Sequence, residues 1–229
     1  MAPMNLAFDA YTLSALEPPI GPAFFDALTG SPLEPVRWGR QEPIREPFDG
    51  YESVAGALDG RCLLLKCTRG SMSIWFRPRS YTWVTSTVTA EPGDLGQLAD
   101  VVVRTLKADF AFVQLLTEEA LQRARASGTL SASTRDGRNA KIMLPPIRLI
   151  QAGLPDVFDV MYLGPRFREA TAGVLDGVLA NGDATEVGPL LRVRADGDGA
   201  RARVSAALAP LLGAPDAPAE IRLPATSGK

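Results

Sequence analysis

Residues 61–90 read RCLLLKCTRGSMSIWFRPRSYTWVTSTVTA, and this stretch decides the fold class. It contains three runs rich in apolar, aromatic and β-branched side chains, which is typical of β-strands. Arg69-Gly70 is a turn signal between the first two runs, and Pro78 separates the second from the third. Three strands in such close succession predict an antiparallel meander. Apolar and polar residues do not alternate cleanly in the third run, which leaves room for a β-bulge there.

A helix is predicted directly after the meander, over residues 92–107. Pro92 suits the first turn of a helix, and apolar residues then recur at spacings of three and four: Leu95, Leu98, Val102 and Leu106. We expect this stripe to be buried against one face of the strands at 61–90. The predicted fold class is therefore α+β, a mostly antiparallel sheet with helices packed on one face.

The second half of the chain also mixes strands and helices. FAFVQLL predicts a strand, and Thr117 is a suitable N-cap for the helix EEALQRARA. Asp136-Gly137 predicts the turn of a hairpin. DVFDVMYLG, residues 156–164, fits either a strand or a buried helix. Further along we expect a short helix at RFREA, a helical turn over 174–180, a strand at PLLRVRAD and a helix at ARARVSAALAPLLG.

The composition divides the chain into three parts. Residues 1–50 are expected to form an irregular, proline-rich N-terminal segment with one short helix at PAFFDAL, because prolines recur between Pro18 and Pro47. Residues 51–214 are expected to form a single α+β domain, and a division into two similar halves near 117–128 stays open. Residues 215–229, rich in proline and alanine, are expected to be a loose C-terminal tail.

The residue types present argue against most catalytic chemistry. The chain has no histidine, which excludes Ser–His and Cys–His nucleophiles and histidine-bearing zinc sites. It also lacks the glycine-rich nucleotide motifs and the GxSxG hydrolase motif. Acidic pairs such as Glu118–Glu119 and Asp156–Asp159 lie in no motif, and the DGDG run at 196–199 lacks the glutamate that completes a calcium loop. We therefore expect a protein that is not an enzyme and needs no cofactor or metal.

Charge and hydropathy narrow the class of partner and the compartment. The formal net charge is −2, so the strong basic excess of nucleic-acid-binding proteins is missing. No apolar run reaches the roughly 18 residues of a transmembrane helix, and the first residues do not resemble a secretory signal. Cys62 and Cys67 lie on a predicted strand, five residues apart, so they point to opposite faces and are expected to be free thiols. The expectation is a soluble cytoplasmic protein without membrane or nucleic-acid partners.

Two surfaces are candidates for binding a partner protein. The first is an acidic, aromatic stretch that its prolines hold partly preorganised: Trp38, Glu42, Glu46, Phe48, Asp49, Tyr51 and Glu52. The second combines arginines with an aromatic strand: Arg69, Trp75, Arg77 and Arg79. The alternative interpretation of the first surface is a solvated loop. For the second, the alternative is core aromatics with arginines at solvated strand ends.

From about residue 60 to residue 212 the order of features resembles a known family. The resemblance rests on SMSIWFRPRSY, on ADFAFVQLLTEEALQRARASGTL with Leu116-Thr117 at the helix start, and on LPDVFDVMYLGPRF with Gly164, Pro165 and Phe167. These features are similar to those of the immunity proteins of bacterial polymorphic toxin systems. The resemblance implies an inhibitor that binds one cognate toxin in the cytoplasm, occludes its active site and has no catalytic activity. Near Asp159 the sequence departs from that family, in which we expect a tryptophan.

Two other classes of function remain as alternatives to the immunity hypothesis. A hydrolase built on carboxylates would show a deep pocket with two converging acidic groups. A structural or scaffold subunit would show a large apolar surface for self-association.

Overall fold

The structure, a computed structural model, describes residues 3–13, 20–58, 62–77, 81–126, 153–197 and 199–212. The chain divides into two compact units, residues 1–113 and 114–229. Both units combine antiparallel strands with helices, so the predicted α+β class is confirmed. The predicted hairpin at Asp136-Gly137 and the predicted tail at 215–229 lie outside the described residues.

Unit 1 is built around an antiparallel sheet, and the predicted meander forms its middle. The strands lie in the order β3-β2-β4-β5-β6-β1, followed by β7, which begins in unit 1 and ends just beyond it. Their bounds are β1 (Met4–Leu13), β2 (Pro35–Gly39), β3 (Glu46–Pro47), β4 (Cys62–Cys67), β5 (Gly70–Arg77), β6 (Tyr81–Ala90) and β7 (Phe110–Leu115). The pairings among β1 to β6 are antiparallel throughout the described residues.

The three predicted strands of the meander are confirmed, but the bulge is not found. β5 pairs with β6 without a shift of register, from Gly70↔Val88 to Arg77↔Tyr81. The uneven pattern in β6 has another cause, since polar residues lie on its buried face. Thr82 and Ser86 alternate there with Val84 and Val88, and Thr85 is buried on the opposite face, where its hydroxyl donates to Asp9.

The expectation of an irregular segment over residues 1–50 is wrong at its beginning. Met4–Leu13 form the ten-residue strand β1, which pairs with all of β6, from Met4↔Ala90 to Leu13↔Tyr81. Every residue from Leu6 to Tyr11 is buried. The prolines behind that expectation begin at Pro18, after the strand has ended, so they place no restriction on it.

Two helices form a layer on the sheet of unit 1. α1 (Pro22–Leu28) is the predicted PAFFDAL helix, and it buries Phe24, Phe25 and Leu28. α2 (Pro92–Thr105) packs against α1 and β1, and the predicted stripe of apolar residues is buried. The hydroxyl of Thr12 donates to the carbonyl oxygen of Leu106 at 2.9 Å, so the layer covers the face of β1 that carries Thr12.

The segment between α1 and β4 lies along one edge of this sheet. β2 pairs with β4, and the two-residue strand β3 pairs with β2 through Arg37↔Pro47 and Trp38↔Glu46. Two 3₁₀ turns, Tyr51–Ser53 and Ala55–Ala57, lead towards β4. Proline in an edge strand is tolerated because its missing N–H would not have been paired there.

In the part of unit 2 that the structure describes there are three short strands, β8 (Val160–Leu163), β9 (Ala184–Val187) and β10 (Leu190–Arg194), in the antiparallel order β8-β10-β9. The stretch at 156–164, which the sequence left undecided, therefore contains a strand. β10 was predicted from PLLRVRAD, whereas β9 carries no comparable apolar signal.

Three helices lie within the described residues of unit 2: α3 (Glu118–Ala126), α4 (Pro165–Ala180) and α5 (Ala200–Leu208). Thr117 is the predicted N-cap of α3, because its hydroxyl oxygen accepts the N–H of Ala120 at 3.1 Å. The predicted helix at RFREA and the turn over 174–180 are parts of the single helix α4. α5 buries Ala200, Val204 and Leu208, one turn apart on a single face.

Candidate binding cleft

An open cleft of about 1250 Å³ lies at one end of the unit 1 sheet. Its walls come from the segment after β2 and from the ends of three neighbouring strands. The lining residues are Trp38, Gly39, Arg40, Gln41, Glu42, Pro43, Arg45, Glu46, Cys62, Trp75, Phe76, Arg77 and Tyr81. We call this site the cleft.

The strand register explains why these residues meet. In an antiparallel sheet the end of one strand lies beside the beginning of the next. Cys62 at the start of β4 is therefore opposite Trp75 near the end of β5, and Arg77 is opposite Tyr81 at the start of β6. β2 runs antiparallel to β4, with Gly39 opposite Leu64, so the segment that follows Gly39 extends past the beginning of β4.

A row of aromatic rings crosses the sheet beside the cleft. Tyr11, Trp83 and Trp75 occupy directly opposite positions on β1, β6 and β5. Tyr11 and Trp83 stack with ring centroids 5.7 Å apart, and Trp83 and Trp75 stack at 6.3 Å. Tyr11 is fully buried, whereas Trp75 is 41% exposed, so the row runs from the core of unit 1 to the cleft.

The inner end of this row holds a buried carboxyl group. Asp9 accepts hydrogen bonds from the hydroxyl of Thr85 at 2.7 Å, from the hydroxyl of Tyr11 at 3.2 Å and from the indole N–H of Trp83 at 3.2 Å. Among the described residues no cation contacts it. Burial therefore outweighs the hydrogen bonds, which favour the ionised form, and it raises the pKa of Asp9 to about 7.

The cleft carries charges of both signs. Three arginines and two glutamates line it. The guanidinium of Arg40 donates to the carbonyl oxygen of Gly56 at 2.7 Å, and the guanidinium of Arg77 lies over the ring of Tyr81, 5.9 Å from its centre. Glu42 and Glu46 form no ion pair with any residue that the structure describes. Their carboxylates are therefore the acidic groups of the cleft that an incoming ligand could pair with.

Both cysteines are free thiols, as predicted, and they lie on opposite faces of β4. Cys67 is buried on the face shared with Leu63 and Leu65, whereas Cys62 is half-buried and lines the cleft. Burial raises the pKa of Cys62 to about 11 and that of Cys67 to about 12. Because the thiolate is the reactive form, these values argue against a nucleophilic role for either residue.

The two predicted binding surfaces meet in the cleft, but only in part. Trp38, Glu42 and Glu46 from the first surface line it together with Trp75 and Arg77 from the second. The remaining residues of the first surface do not line it: Phe48, Asp49, Tyr51 and Glu52. Phe48 and Tyr51 instead pack against Phe25 of α1, with ring centroids 5.2 and 6.0 Å away.

The remaining arginines of the second surface are not part of the cleft as described. Arg69 lies in the turn between β4 and β5, at the opposite end of β5 from Arg77. There its backbone N–H donates to the carbonyl oxygen of Pro32 and its carbonyl accepts the N–H of Thr89. Arg79 lies outside the described residues.

Several functional candidates were missed by reasoning from the sequence. Arg40 and Arg45 lie within the acidic stretch but were passed over, because the acidic and aromatic residues dominate its composition. Tyr81 was visible only as a strand residue. The signal for Asp9 was present, since a carboxylate inside the apolar run LAFDAY requires a partner if that run is buried.

A second polar cluster lies in unit 2, where Asp159 joins three segments of chain. Its carboxylate accepts the side-chain amide of Gln114 at 2.6 Å and the backbone N–H of Leu115 at 2.8 Å, and it pairs with Arg201 of α5. Arg201 also donates to the carbonyl oxygen of Val157. The hydrogen-bond partners described for Asp159 and Arg201 all lie within unit 2. We therefore assign this cluster a structural role.

The described residues contain no group of three or more side chains that could hold a metal ion. No helix in the described part of the chain is long and apolar enough to cross a bilayer. No protein-family model matches the sequence, and a comparison with curated proteins gives no match.

Proposed function

We propose that this chain is a non-enzymatic binding protein that docks a partner protein in the cleft of unit 1. The observation that carries the proposal is the meeting of Trp38, Glu42 and Glu46 with Trp75 and Arg77 at one site. Tryptophan, tyrosine and arginine are the residues most enriched among those that dominate binding energy at protein interfaces.

The exposure of Trp75 supports a binding role. A tryptophan that is 41% exposed leaves a large apolar ring in contact with water, which is unfavourable in the free protein. A partner that covers the ring regains that free energy. Scattered exposed apolar residues are common, so the position of Trp75 among arginines and glutamates in a concave site is the significant point.

The segment that carries the two glutamates is held in place before any partner binds. β3 pairs with β2, and the N–H of Phe48 donates to the carbonyl oxygen of Val36 at 3.2 Å. Phe48 and Tyr51 anchor the following residues on α1. A wall that is already ordered loses less conformational entropy on binding, which favours affinity.

In its specific form, the proposal is that the chain is a cytoplasmic immunity protein. It would neutralise a cognate bacterial toxin by covering the toxin's active site, with the cleft receiving part of the toxin surface. The resemblance over residues 60–212 supports this form, and the acidic character of the segment at 42–52 suits a toxin with a basic surface.

The test measures binding to the product of a toxin-bearing gene that neighbours the gene for this chain. Association and dissociation rates are measured at low and high salt, and protection of cells from the toxin is scored in parallel. We expect the double variant Glu42→Lys/Glu46→Lys to associate several-fold more slowly at low salt. Trp75→Ala is expected to weaken the complex by about 2 kcal/mol or more, mainly through faster dissociation.

The matched control is Asp49→Lys/Glu52→Lys, which changes the net charge equally but outside the cleft. It should associate at close to the wild-type rate. Equal losses in both double variants would contradict docking in the cleft. Absence of binding to any neighbouring toxin would contradict the immunity function, and turnover lost in Glu42→Gln or Glu46→Gln would favour the hydrolase alternative.

A further inference from the structure

The two faces of the unit 1 sheet differ in how they are covered. The helix layer lies on the face that carries Thr12, and every side chain that β4, β5 and β6 place on that face is buried. On the opposite face of these three strands only Thr85 is buried. We call this second face the open face. It consists of alternate residues from Cys62 to Lys66, from Ser71 to Arg77 and from Tyr81 to Thr89.

The open face presents one side of an indole ring. Trp75 is exposed, and the other side of its ring stacks on Trp83 with 24° between the ring planes. Its neighbour on β4 is Cys62, which is too small to stack on it. Within the described part of the chain no ring or cation covers the side towards β4. A planar group that enters there would stack on Trp75 and remove apolar surface from water.

The charges that the described strands β2 to β6 place on the open face are all positive. They belong to Arg37, Lys66 and Arg77, which are exposed and form no ion pair with any residue that the structure describes. Glu46 lies on the opposite face, because it is paired with Trp38, which is paired in turn with Leu65. The buried Asp9 belongs to the same face of β1, but no solvent reaches it. This face therefore favours an anionic ligand.

Two of the three basic residues repel each other in the free protein. Arg37 and Lys66 occupy directly opposite positions on β2 and β4. Side chains in such positions have Cβ atoms about 5 Å apart, and like charges there are destabilising. No carboxylate among the described residues pairs with either of them. An anion bound between the two would relieve this repulsion.

The basic groups lie at both ends of the open face, with the indole between them. Lys66 is opposite Ser71, and Arg77 is six residues further along β5. At about 3.3 Å per residue, the two ends are about 20 Å apart. Trp75 is two residues from Arg77 on the same strand. One small anion cannot contact both ends, whereas a chain of phosphates with planar groups attached can.

We propose that the open face binds a single-stranded nucleic acid, with a base stacked on Trp75 and phosphates paired with Arg37, Lys66 and Arg77. Every base has a face that stacks on an aromatic ring, and basic side chains neutralise the phosphates. The net charge of −2 belongs to the whole chain, whereas nucleic-acid binding depends on how basic residues cluster on one face. This inference goes beyond the proposed function and does not depend on it.

The experiment titrates the whole chain into a labelled oligothymidylate of about 10 nucleotides, at several salt concentrations. Fluorescence anisotropy gives the affinity, and quenching of tryptophan emission reports stacking. Two other probes are an abasic oligomer with the same phosphates and polyglutamate of the same charge, which represents an acidic protein segment. We expect the oligothymidylate to bind most tightly. The logarithm of its association constant should fall with the logarithm of the salt concentration with a slope of about −2, as expected for three neutralised phosphates.

Substitutions separate the phosphate contacts from the stacking contact. Arg37→Gln and Lys66→Gln should each weaken binding and make the salt slope shallower by about 0.7. Arg104→Gln is the matched control, because Arg104 is an exposed arginine of α2, which packs on the opposite face of the sheet. It should leave the affinity and the slope unchanged. Trp75→Leu should weaken binding by about 5- to 150-fold without altering the slope, and Trp75→Phe should restore part of the loss.

Thermal unfolding checks the fold of each variant, and the exposed positions of these side chains predict midpoints close to that of the wild type. Absence of oligothymidylate binding would overturn the proposal. So would equal or tighter binding of the abasic oligomer or of polyglutamate, since neither offers a base for Trp75. Equal losses in Arg37→Gln and Arg104→Gln would also contradict binding on the open face.

A further variant separates this inference from the proposed function. Glu42→Lys/Glu46→Lys is expected to slow association with a toxin, but it removes negative charge and should not weaken oligothymidylate binding. If that variant loses the toxin and no oligothymidylate binds to the wild type, the docking site stands and the nucleic-acid assignment fails. If oligothymidylate binds as described and no toxin does, the proposed function fails and this inference stands.

Discussion

Trp83 joins the cleft to the interior of unit 1 through a hydrogen bond to Asp9, with 3.2 Å between its indole nitrogen and the carboxylate oxygen Oδ2. The same indole ring stacks on Trp75, which lines the cleft. Only one ring therefore separates the buried carboxyl group from the proposed binding site. The protonation of Asp9 and the position of Trp83 are consequently linked.

The first prediction concerns the dependence of stability on pH. The native protein holds a proton on Asp9 that the unfolded chain releases, because its pKa rises from 3.8 to about 7 on folding. The free energy of unfolding should therefore fall as the pH rises from about 4 to about 7, by up to about 4 kcal/mol, and change little from this source above that range.

Asp9→Asn removes the titrating group and keeps an oxygen that can accept from Thr85 and Trp83. Denaturant unfolding across this pH range should show a smaller fall for Asp9→Asn than for the wild type. Asp26→Asn, at an exposed carboxylate, serves as the control and should follow the wild type. A wild-type protein whose stability rises steadily over the interval would show that Asp9 does not titrate in this way.

The second prediction concerns the packing of α2. Leu98 lies on the buried face of α2, so Leu98→Ala removes apolar contacts and leaves a cavity. We expect the free energy of unfolding to fall by about 2–5 kcal/mol. Val101→Ala is the control on the same helix, since Val101 is 39% exposed and its truncation should have a much smaller effect. Similar effects of the two substitutions would mean that the stripe is not buried as described.

The third prediction concerns the polar cluster of unit 2. Asp159→Ala leaves Arg201, Gln114 and the N–H of Leu115 without their shared acceptor, so we expect a loss of about 3 kcal/mol in unfolding experiments. Asp196→Ala is the comparison, because it breaks the exposed ion pair with Arg194 and should lower stability by less than about 1 kcal/mol. If Asp196→Ala is the more damaging change, the structural role of Asp159 is refuted.

The fourth prediction uses two glycines with opposite surroundings. A Cβ on Gly70 would collide with the backbone of Thr87 and Val88 on the neighbouring strand, so Gly70→Ala should destabilise unit 1. A Cβ on Gly173, within α4, meets nothing within 4 Å, so Gly173→Ala should raise the free energy of unfolding by about 0.5–1 kcal/mol. Thermal unfolding of the two variants should therefore shift the midpoint in opposite directions.

The sequence predicts the meander and α2 because their signals are local. The strands at 62–90 follow one another through short turns, and the stripe of α2 has the period of a helix. β1 was missed because it is buried on both faces and carries Asp9 and Thr12 among its apolar residues, so it shows no alternation. β9 was missed because only two of its four residues are apolar and none of the four is buried.

The candidate site could be predicted only in fragments. Trp38 and Trp75 are both conspicuous in the sequence. That they line the same cleft depends on the pairing of β2 with β4, which local sequence patterns do not predict. Asp49 and Glu52 do not line the cleft although they are close along the chain to Glu42 and Glu46, because Phe48 and Tyr51 pack this part of the segment against α1. Composition thus singled out a segment that forms part of the cleft, while the fold decides which of its residues line it.

The position of β1 has a consequence for how unit 1 folds. This strand lies inside the sheet, between β6 and β7, and its partner strand is far along the chain, since Asp9 and Thr85 are 76 residues apart. Joining such distant segments requires a large loss of chain entropy before the contacts form, and a high contact order is associated with slow folding. On the ribosome, β1 must wait without its partner until β6 has been synthesised. Although β1 is made before the other described strands of unit 1, it is thus among the last of them to pair.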